Sequence, residues 1–197
     1  MSALATRLLG SCLLCASLLA PPAFAAWELD GERSRVGFVS VKNASIAEVH
    51  HFRAVTGSVD DDGQVNLAID LDSVETLIPI RNQRMRELLF ETVRFPAAKL
   101  ATTVDASLLA LTPGSTALTE LEFTVDLHGN TRTYTAQVLV TGSADGGFSV
   151  ALQQPLIVRA ADFGLEAGIE VLREVAGLAS ISKAVPVDVR LVFVPAM

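Results

Sequence analysis

A period of two runs through most of this chain, and it limits the folds open to it more than any other feature. "QVNLAIDLDSV" sets Val65, Leu67, Ile69 and Leu71 on one face of an extended segment, with Asn66, Asp70 and Asp72 on the other. "LTELEFTVDLH" repeats the alternation with Leu121, Phe123, Val125 and Leu127 against Glu122, Thr124, Asp126 and His128. "VPVDVRLVF" does so with Val187, Val189, Leu191 and Phe193. Weaker alternation runs through "SRVGFVSVK", "HFRAVTGSV", "AAKLATTVD", "RTYTAQVLV" and "GFSVALQQPLIV". Turn chemistry separates these runs. Asp62-Gly63 and Gly129-Asn130 suit two-residue hairpins, whose positive φ is accepted by glycine, Asp and Asn, and "SADGG" (Ser143–Gly147) makes a further joint. About eight antiparallel strands, each with one apolar face, predict an all-β fold, either a sandwich or a closed barrel.

Two segments break the period. In "RNQRMRELLFETV" the residues Met85, Leu88, Leu89 and Thr92 recur at helical spacing, which predicts a short amphipathic helix. In "EAGIEVLREVAGLA" a second stripe runs through Leu165, Ile169, Leu172 and Ala176, with Gly177 placed to cap the helix C-terminus. A barrel with two short helical insertions is the expected architecture. No internal repeat or linker divides the chain, so one domain is expected.

The first residues predict export. "MSALATRLLGSCLLCASLLAPPAFA" has one early cation, Arg7, an apolar run from Leu8 to Ala20, and small residues at Ala23 and Ala25. This is read as a cleaved signal over 1–25, ahead of a domain over 26–197 in the periplasm. Leu14 before Cys15 argues against a lipoprotein. Both cysteines, Cys12 and Cys15, leave with the signal, so no disulfide and no thiol nucleophile is expected. Loss of Arg7 takes the formal charge from -7 to -8. Nucleic acid is a poor partner for such a chain, because phosphate binding needs a basic footprint.

Catalytic chemistry finds little support. The histidines are His50, His51 and His128, and adjacent residues of a strand point to opposite faces, so His50 and His51 are poorly placed to share a metal. Asp60–Gly63 has acids but not the spacing of a calcium loop and reads as a hairpin turn. No G-x-S-x-G motif marks a serine nucleophile. The chain is therefore expected to be no enzyme, with no cofactor and no metal.

The cations of "PIRNQRMRELLFETVRFP" divide into two sets. On an α-helical wheel Arg84, Glu87, Glu91 and Arg94 share one side and alternate in sign, as a solvated ladder does. Arg81 falls beside the apolar stripe, and Arg86 flanks it on the other side. An arginine so placed either pairs with a strand carboxylate such as Asp70 or Asp72, or meets an anionic ligand.

Five blocks carry a family resemblance: "WELDGERSRVGFVSVK", "HHFRAVTGSVD", "SVETLIPIRNQRMRELLFETVRFPAAKL", "FTVDLHGNTRTYTAQVLV" and "PLIVRAADFGL". Their order and spacing resemble the YceI-like family over essentially the whole chain after residue 25. The most specific piece is the arginine-led helix ending in Phe95-Pro96, supported by Leu127, Gly129 and the Asp-Phe-Gly at Asp162–Gly164. Asn82 stands where family members commonly carry Asp, and Arg84 where many carry His. The resemblance implies a lipocalin-like eight-stranded antiparallel barrel whose apolar cavity holds a polyisoprenoid.

The expected function is a periplasmic carrier for an isoprenoid lipid such as a quinone or polyprenyl phosphate. Leu67, Ile69, Phe123, Val125, Val189 and Leu191 are expected to line its cavity, with Arg81, Arg86, Met85 and Leu89 meeting the ligand. Only 6% of the residues are Phe, Trp or Tyr, which leaves room inside a barrel of this size, although Leu, Ile and Val alone could fill it. The alternative is a ligand-free barrel that meets a membrane redox partner through its helices.

Overall fold

The computed structural model describes residues 25–197, so the expected signal segment lies outside the described residues apart from Ala25. The strands in chain order are β1 (Ala25–Leu29), β2 (Arg35–Lys42), β3 (Ile46–Phe52), β4 (Val55–Asp60), β5 (Gln64–Asp70) and β6 (Val74–Glu75). They continue as β7 (Ala97–Thr103), β8 (Thr116–Leu127), β9 (Asn130–Gly142), β10 (Phe148–Leu152), β11 (Leu156–Arg159) and β12 (Ala184–Pro195). All pairings are antiparallel, and β12 closes the sheet. One of its edges pairs with β10 and β11, the other with β1 and β2.

The twelve segments make eight positions in the wall, because β1 with β2, β3 with β4, β5 with β6 and β10 with β11 are each one interrupted strand. The interruptions have local causes. Between β1 and β2, Asp30 Oδ1 accepts from the backbone N–H of Glu32 and Arg33 and folds the chain into a turn. Between β5 and β6, Asp70 caps a 3-10 turn over Leu71–Ser73 that drives Leu71 into the core. The alternation predicted over Val65–Leu71 therefore ends at Asp70. Between β10 and β11 stands Pro155, which cannot donate to a ladder.

The hairpin at Asp62-Gly63 forms, with Gly63 at φ 80 and Asp60 Oδ1 accepting from Asp62 N and Gln64 N. The β8–β9 hairpin lies one residue earlier than Gly129-Asn130. Leu127 pairs with Asn130, and the two loop residues are His128 (φ 54) and Gly129 (φ 74). Histidine tolerates the left-handed region better than most residues. His128 is thereby a turn residue rather than a strand end.

Three helical pieces close the barrel's ends. α1 (Pro79–Arg84) starts on a proline, suited to the first helical turn, and continues as a π-helical segment over Met85–Phe90. Glu91, left-handed at φ 49, stops it. Thr92, expected on the helix, lies beyond that stop and donates its hydroxyl to Asp72 Oδ1 at 2.6 Å. The wider π winding turns Phe90 inward together with Met85 and Leu89. The four-residue α2 (Ala106–Leu109), capped by Asp105, is too short to show a period; its Leu108 and Leu109 pack against the lower end of the core. α3 (Glu166–Val175) ends as the sequence predicts: Gly177 N bonds Glu174 O and Leu178 N bonds Arg173 O, a Schellman closure.

The core has an upper cluster around Phe38, Leu71, Phe90 and Phe163 and a lower one around Val59, Val140, Phe148 and Phe193. Phe52, Ile69 and Val187 pack against both. α3 sits hard on the π segment at Gly168, where an added Cβ would lie 2.7 Å from Leu88 O and 3.0 Å from Leu89 Cα. Gly168→Ala should therefore destabilise the fold by about 1–3 kcal/mol through overpacking, although alanine is the better helix former. For a domain of this size that is a fall in thermal midpoint of roughly 2–4 °C per kcal/mol. A midpoint that stays or rises would show that the two helices separate freely.

Candidate functional site: an apolar tunnel with a polar mouth

Inward-facing residues of the strands leave three cavities in series. The deepest, about 180 Å³, lies between α2 and the mid-barrel. Leu67, Ile69, Phe123, Val125, Val189 and Leu191 all line it, and Thr102 is the one lining residue with a polar side chain. The middle cavity, also about 180 Å³, shares Val36, Ile69, Val125, Val158 and Val187 with the deepest one. A mouth cavity of about 420 Å³ shares Phe38, Met85, Leu89, Ile169 and Val185 with the middle one. Adjoining through these shared residues, the three cavities form a segmented apolar tunnel that opens between α1, α3 and the β2–β3 hairpin. The mouth cavity alone is of the size of small-molecule sites, which are concave, mostly apolar and fitted with a few polar groups, and each inner cavity is smaller.

The polar groups gather at the mouth. Arg81 Nη1 donates to Glu48 Oε2 at 2.6 Å, and Lys42 Nζ lies 3.0 Å from the same oxygen. Arg81 Nη2 donates to Thr76 O at 2.6 Å. Lys42 first, and then Arg81, holds the Glu48 carboxyl below its ordinary value, so it is a carboxylate at neutral pH. His50, 4% exposed, contacts Ser40 Oγ through Nε2 at 3.0 Å. Burial, helped by the charge of Arg81, lowers its pKa and keeps the imidazole neutral. Two buried nitrogens there, His50 Nδ1 and Arg81 Nε, have no hydrogen-bond partner within the chain. Arg81 Nε is a donor, whereas His50 Nδ1 donates or accepts according to the tautomer that its contact with Ser40 sets.

The acid that meets Arg81 is thus Glu48 on β3, and neither Asp70 nor Asp72 pairs with it. Those two acids cap the 3-10 turn and accept from Thr92. Arg86 does not face the tunnel. Its guanidinium donates to Asp72 O at 3.3 Å on the outer side of the wall, and it lines none of the three cavities. The expected charge ladder is also rearranged. Glu87 accepts from Gln83 at 2.9 Å, Glu91 pairs with Arg94 at 2.6 Å, and Arg84 donates across the mouth to Val175 O at 3.3 Å. Packing of α3 on the π segment brings that helix's C-terminal carbonyls, a favourable place for a cation, within reach of Arg84.

The loop between β6 and α1 is tied by a network that alternation could not reveal. Asn82 Oδ1 accepts from Thr76 N at 2.9 Å and Thr76 Oγ1 at 2.5 Å, while Asn82 Nδ2 donates to Glu75 Oε1 at 3.0 Å. Glu75 Oε1 also accepts from Leu77 N at 2.5 Å, and Glu75 pairs with Arg53. These bonds fix the start of α1, and through it the position of Arg81. Asn82 was legible only as a departure from the family's usual Asp.

The histidines stay apart, as strand geometry requires. His51 faces the outer wall beside Arg35 and Arg53, and His128 packs on Phe95 with ring centroids 4.4 Å apart and planes tilted by 51°. Among the described residues no group of three or more His, Cys, Asp or Glu side chains could hold a metal ion. Among them, too, no helix is long and apolar enough to cross a membrane.

The barrel has solved counterparts. A polyisoprenoid binding domain from Saccharophagus degradans, implicated in plant cell wall breakdown, superposes with a TM-score of 0.86 at 39% identity, over 88% of this chain and 100% of that one. BcnA of Burkholderia cenocepacia follows at TM-score 0.63 and 16% identity, over 83% of this chain and 98% of that one. The YCEI protein of Campylobacter jejuni gives 0.56 and 13%, over 80% and 90%. The last two share the fold alone. Among curated proteins none is significantly similar in sequence. The YceI-like domain matches residues 27–193, nearly the whole of the described barrel, and the chain belongs to that family.

Proposed function

We propose that this chain is an exported periplasmic carrier that holds one polyisoprenoid lipid, a quinone or a polyprenyl phosphate, with its tail in the tunnel and its head at the mouth. The observation that carries the reading is the join of apolar cavities to a mouth where Lys42, Glu48, His50 and Arg81 gather. A long isoprenoid needs apolar lining throughout, and its oxygen-bearing head needs hydrogen-bond donors at one end only. Polyisoprenoid binding by the Saccharophagus degradans domain, 39% identical, supports the same ligand class.

Energetics point the same way. At about 24 cal/mol per Å³, a void of 180 Å³ costs about 4 kcal/mol. That is a large part of the roughly 5–15 kcal/mol by which domains are stable. An apolar occupant restores the missing contacts. The two inner cavities carry no titratable side chain, and at the mouth Glu48 is held by Lys42 and Arg81, so holding rather than converting the lipid is the reading adopted.

Mass spectrometry of protein exported by a bacterial host tests this directly. The intact chain should begin at or near Ala26, and its organic extract should contain an isoprenoid. A blank extract, together with failure to take up added quinone, would overturn the carrier reading and favour a ligand-free barrel serving a membrane redox partner.

Two variants probe the two ends of the site. Val125 lines both inner cavities, so Val125→Trp should fold and yet abolish uptake of a long isoprenoid. Misfolding of that variant would mean that the face is close-packed. Arg81→Ala removes a charged donor from the mouth, an interaction worth about 1.5–3 kcal/mol. Affinity for a polyprenyl phosphate should fall roughly tenfold to hundredfold, while Arg84→Ala changes it far less. Lower thermal stability with unchanged affinity would make Arg81 a brace for Glu48 and nothing more.

A further inference from the structure

The rim of the tunnel exposes apolar side chains, and two of them, Leu77 and Val49, are explained neither by folding nor by ligand holding. Leu77 is 85% exposed and sits at φ 63, a left-handed conformation that glycine or asparagine adopts readily and leucine avoids. The bonds from Leu77 N to Glu75 and from Thr76 to Asn82 lock it there. Strain of this kind persists only where the surroundings over-determine it. Val49 is 69% exposed; β3 pairs His51 with Glu75, and continuing that register by two residues sets Val49 level with Leu77. Ile78, Ile80 and Val175 are exposed as well, and these three line the mouth cavity itself. Solvent stabilises none of these placements, whereas an apolar medium stabilises all of them.

We propose that this rim is a docking collar that seats the tunnel mouth on the surface of a phospholipid bilayer. The inference rests on the lipid-holding reading in one respect: an isoprenoid passing between tunnel and bilayer would avoid water if the collar is embedded. The charge of the mouth fits phospholipid head groups. Lys42, Arg81 and Arg84 line it against the single anion Glu48, in a chain whose formal charge is -7. Phosphates attract such a cluster within a Debye length, while the aliphatic rim supplies the adhesion.

Co-sedimentation with vesicles of phosphatidylethanolamine and phosphatidylglycerol tests the collar. Leu77→Asn with Val49→Thr keeps residues suited to each backbone and lies outside the cavity lining. Vesicle partitioning should fall about tenfold or more, the change expected when a large aliphatic side chain and a smaller one leave apolar contact. Uptake of solanesol from detergent micelles should be unchanged in the same variant, and its withdrawal from vesicles should slow. A wild-type chain that takes up solanesol yet ignores vesicles would overturn the collar and leave the carrier reading standing. So would a double variant that sediments like wild type, or binding to native membranes that protease treatment abolishes, since the partner would then be a protein. Vesicle binding without solanesol uptake would support the collar and overturn the carrier reading.

Discussion

Hydrogen bonding along both edges of β12 is the constraint on which the rest of the structure depends. With β10 and β11 on one side and β1 and β2 on the other, no sheet edge is left between them, and the wall closes at eight positions. Closure at eight fixes a width that side chains can fill or that can admit one slender ligand. Which of these results depends on what points inward. Here Val36, Val125, Val187 and Val189 stand in the middle, where rings would have plugged the bore. Apart from Phe123, which lines the deepest cavity beside Val125, rings collect toward its ends. Trp27, Phe148 and Phe193 pack together near the floor, with centroids 5.8 and 5.0 Å apart, and Phe38, Phe52 and Phe90 below the helices, at 5.5 and 5.9 Å.

That distribution separates two tasks that compete in a small barrel. Aromatic clusters bury the most apolar area per residue and stabilise the ends, whereas short β-branched residues form the wall between them and leave the bore open. The backbone ladder carries the wall's integrity regardless of what lies inside, which is how a hollow interior is compatible with a stable fold. Helices cover the upper end because an open barrel end would expose the apolar cluster around Phe163 and Leu71. Their seating depends on short-range fits such as Gly168 against Leu88.

Much of this architecture was legible because alternation and turn chemistry are local. β5, β8 and β12 announced themselves through clean period-two patterns, and the inward set of Leu67, Ile69, Phe123, Val125, Val189 and Leu191 followed from parity alone. The misses have physical reasons. A π segment cannot be told from an α-helix by spacing over six residues, so the wheel misplaced Thr92 and the partners of Arg84, and took Arg86 for a tunnel residue. β3 carries Glu48 in "IAEVHHF", a stretch with too little apolar alternation to read as a strand from its start. The partner of Arg81 therefore stayed invisible, 33 positions away along the chain.

The mouth shows how one short loop serves several ends at once. Glu75, Thr76 and Asn82 bind one another through buried hydrogen bonds, and removing one partner would leave the others unsatisfied in a poorly solvated place. That mutual dependence fixes the first turn of α1, sets the Arg81 guanidinium on Glu48 and turns Leu77 outward in a conformation leucine would not choose. With two of its nitrogens occupied by Glu48 and Thr76 O, Arg81 keeps a fixed orientation, and the nitrogen left unpaired is Nε, buried at the cavity that also holds His50. A preoriented guanidinium beside a neutral imidazole thus makes the one polar end of an otherwise apolar bore. The same loop turns Leu77 outward, so the placement of Arg81 at the cavity and of Leu77 at the rim both follow from one set of bonds.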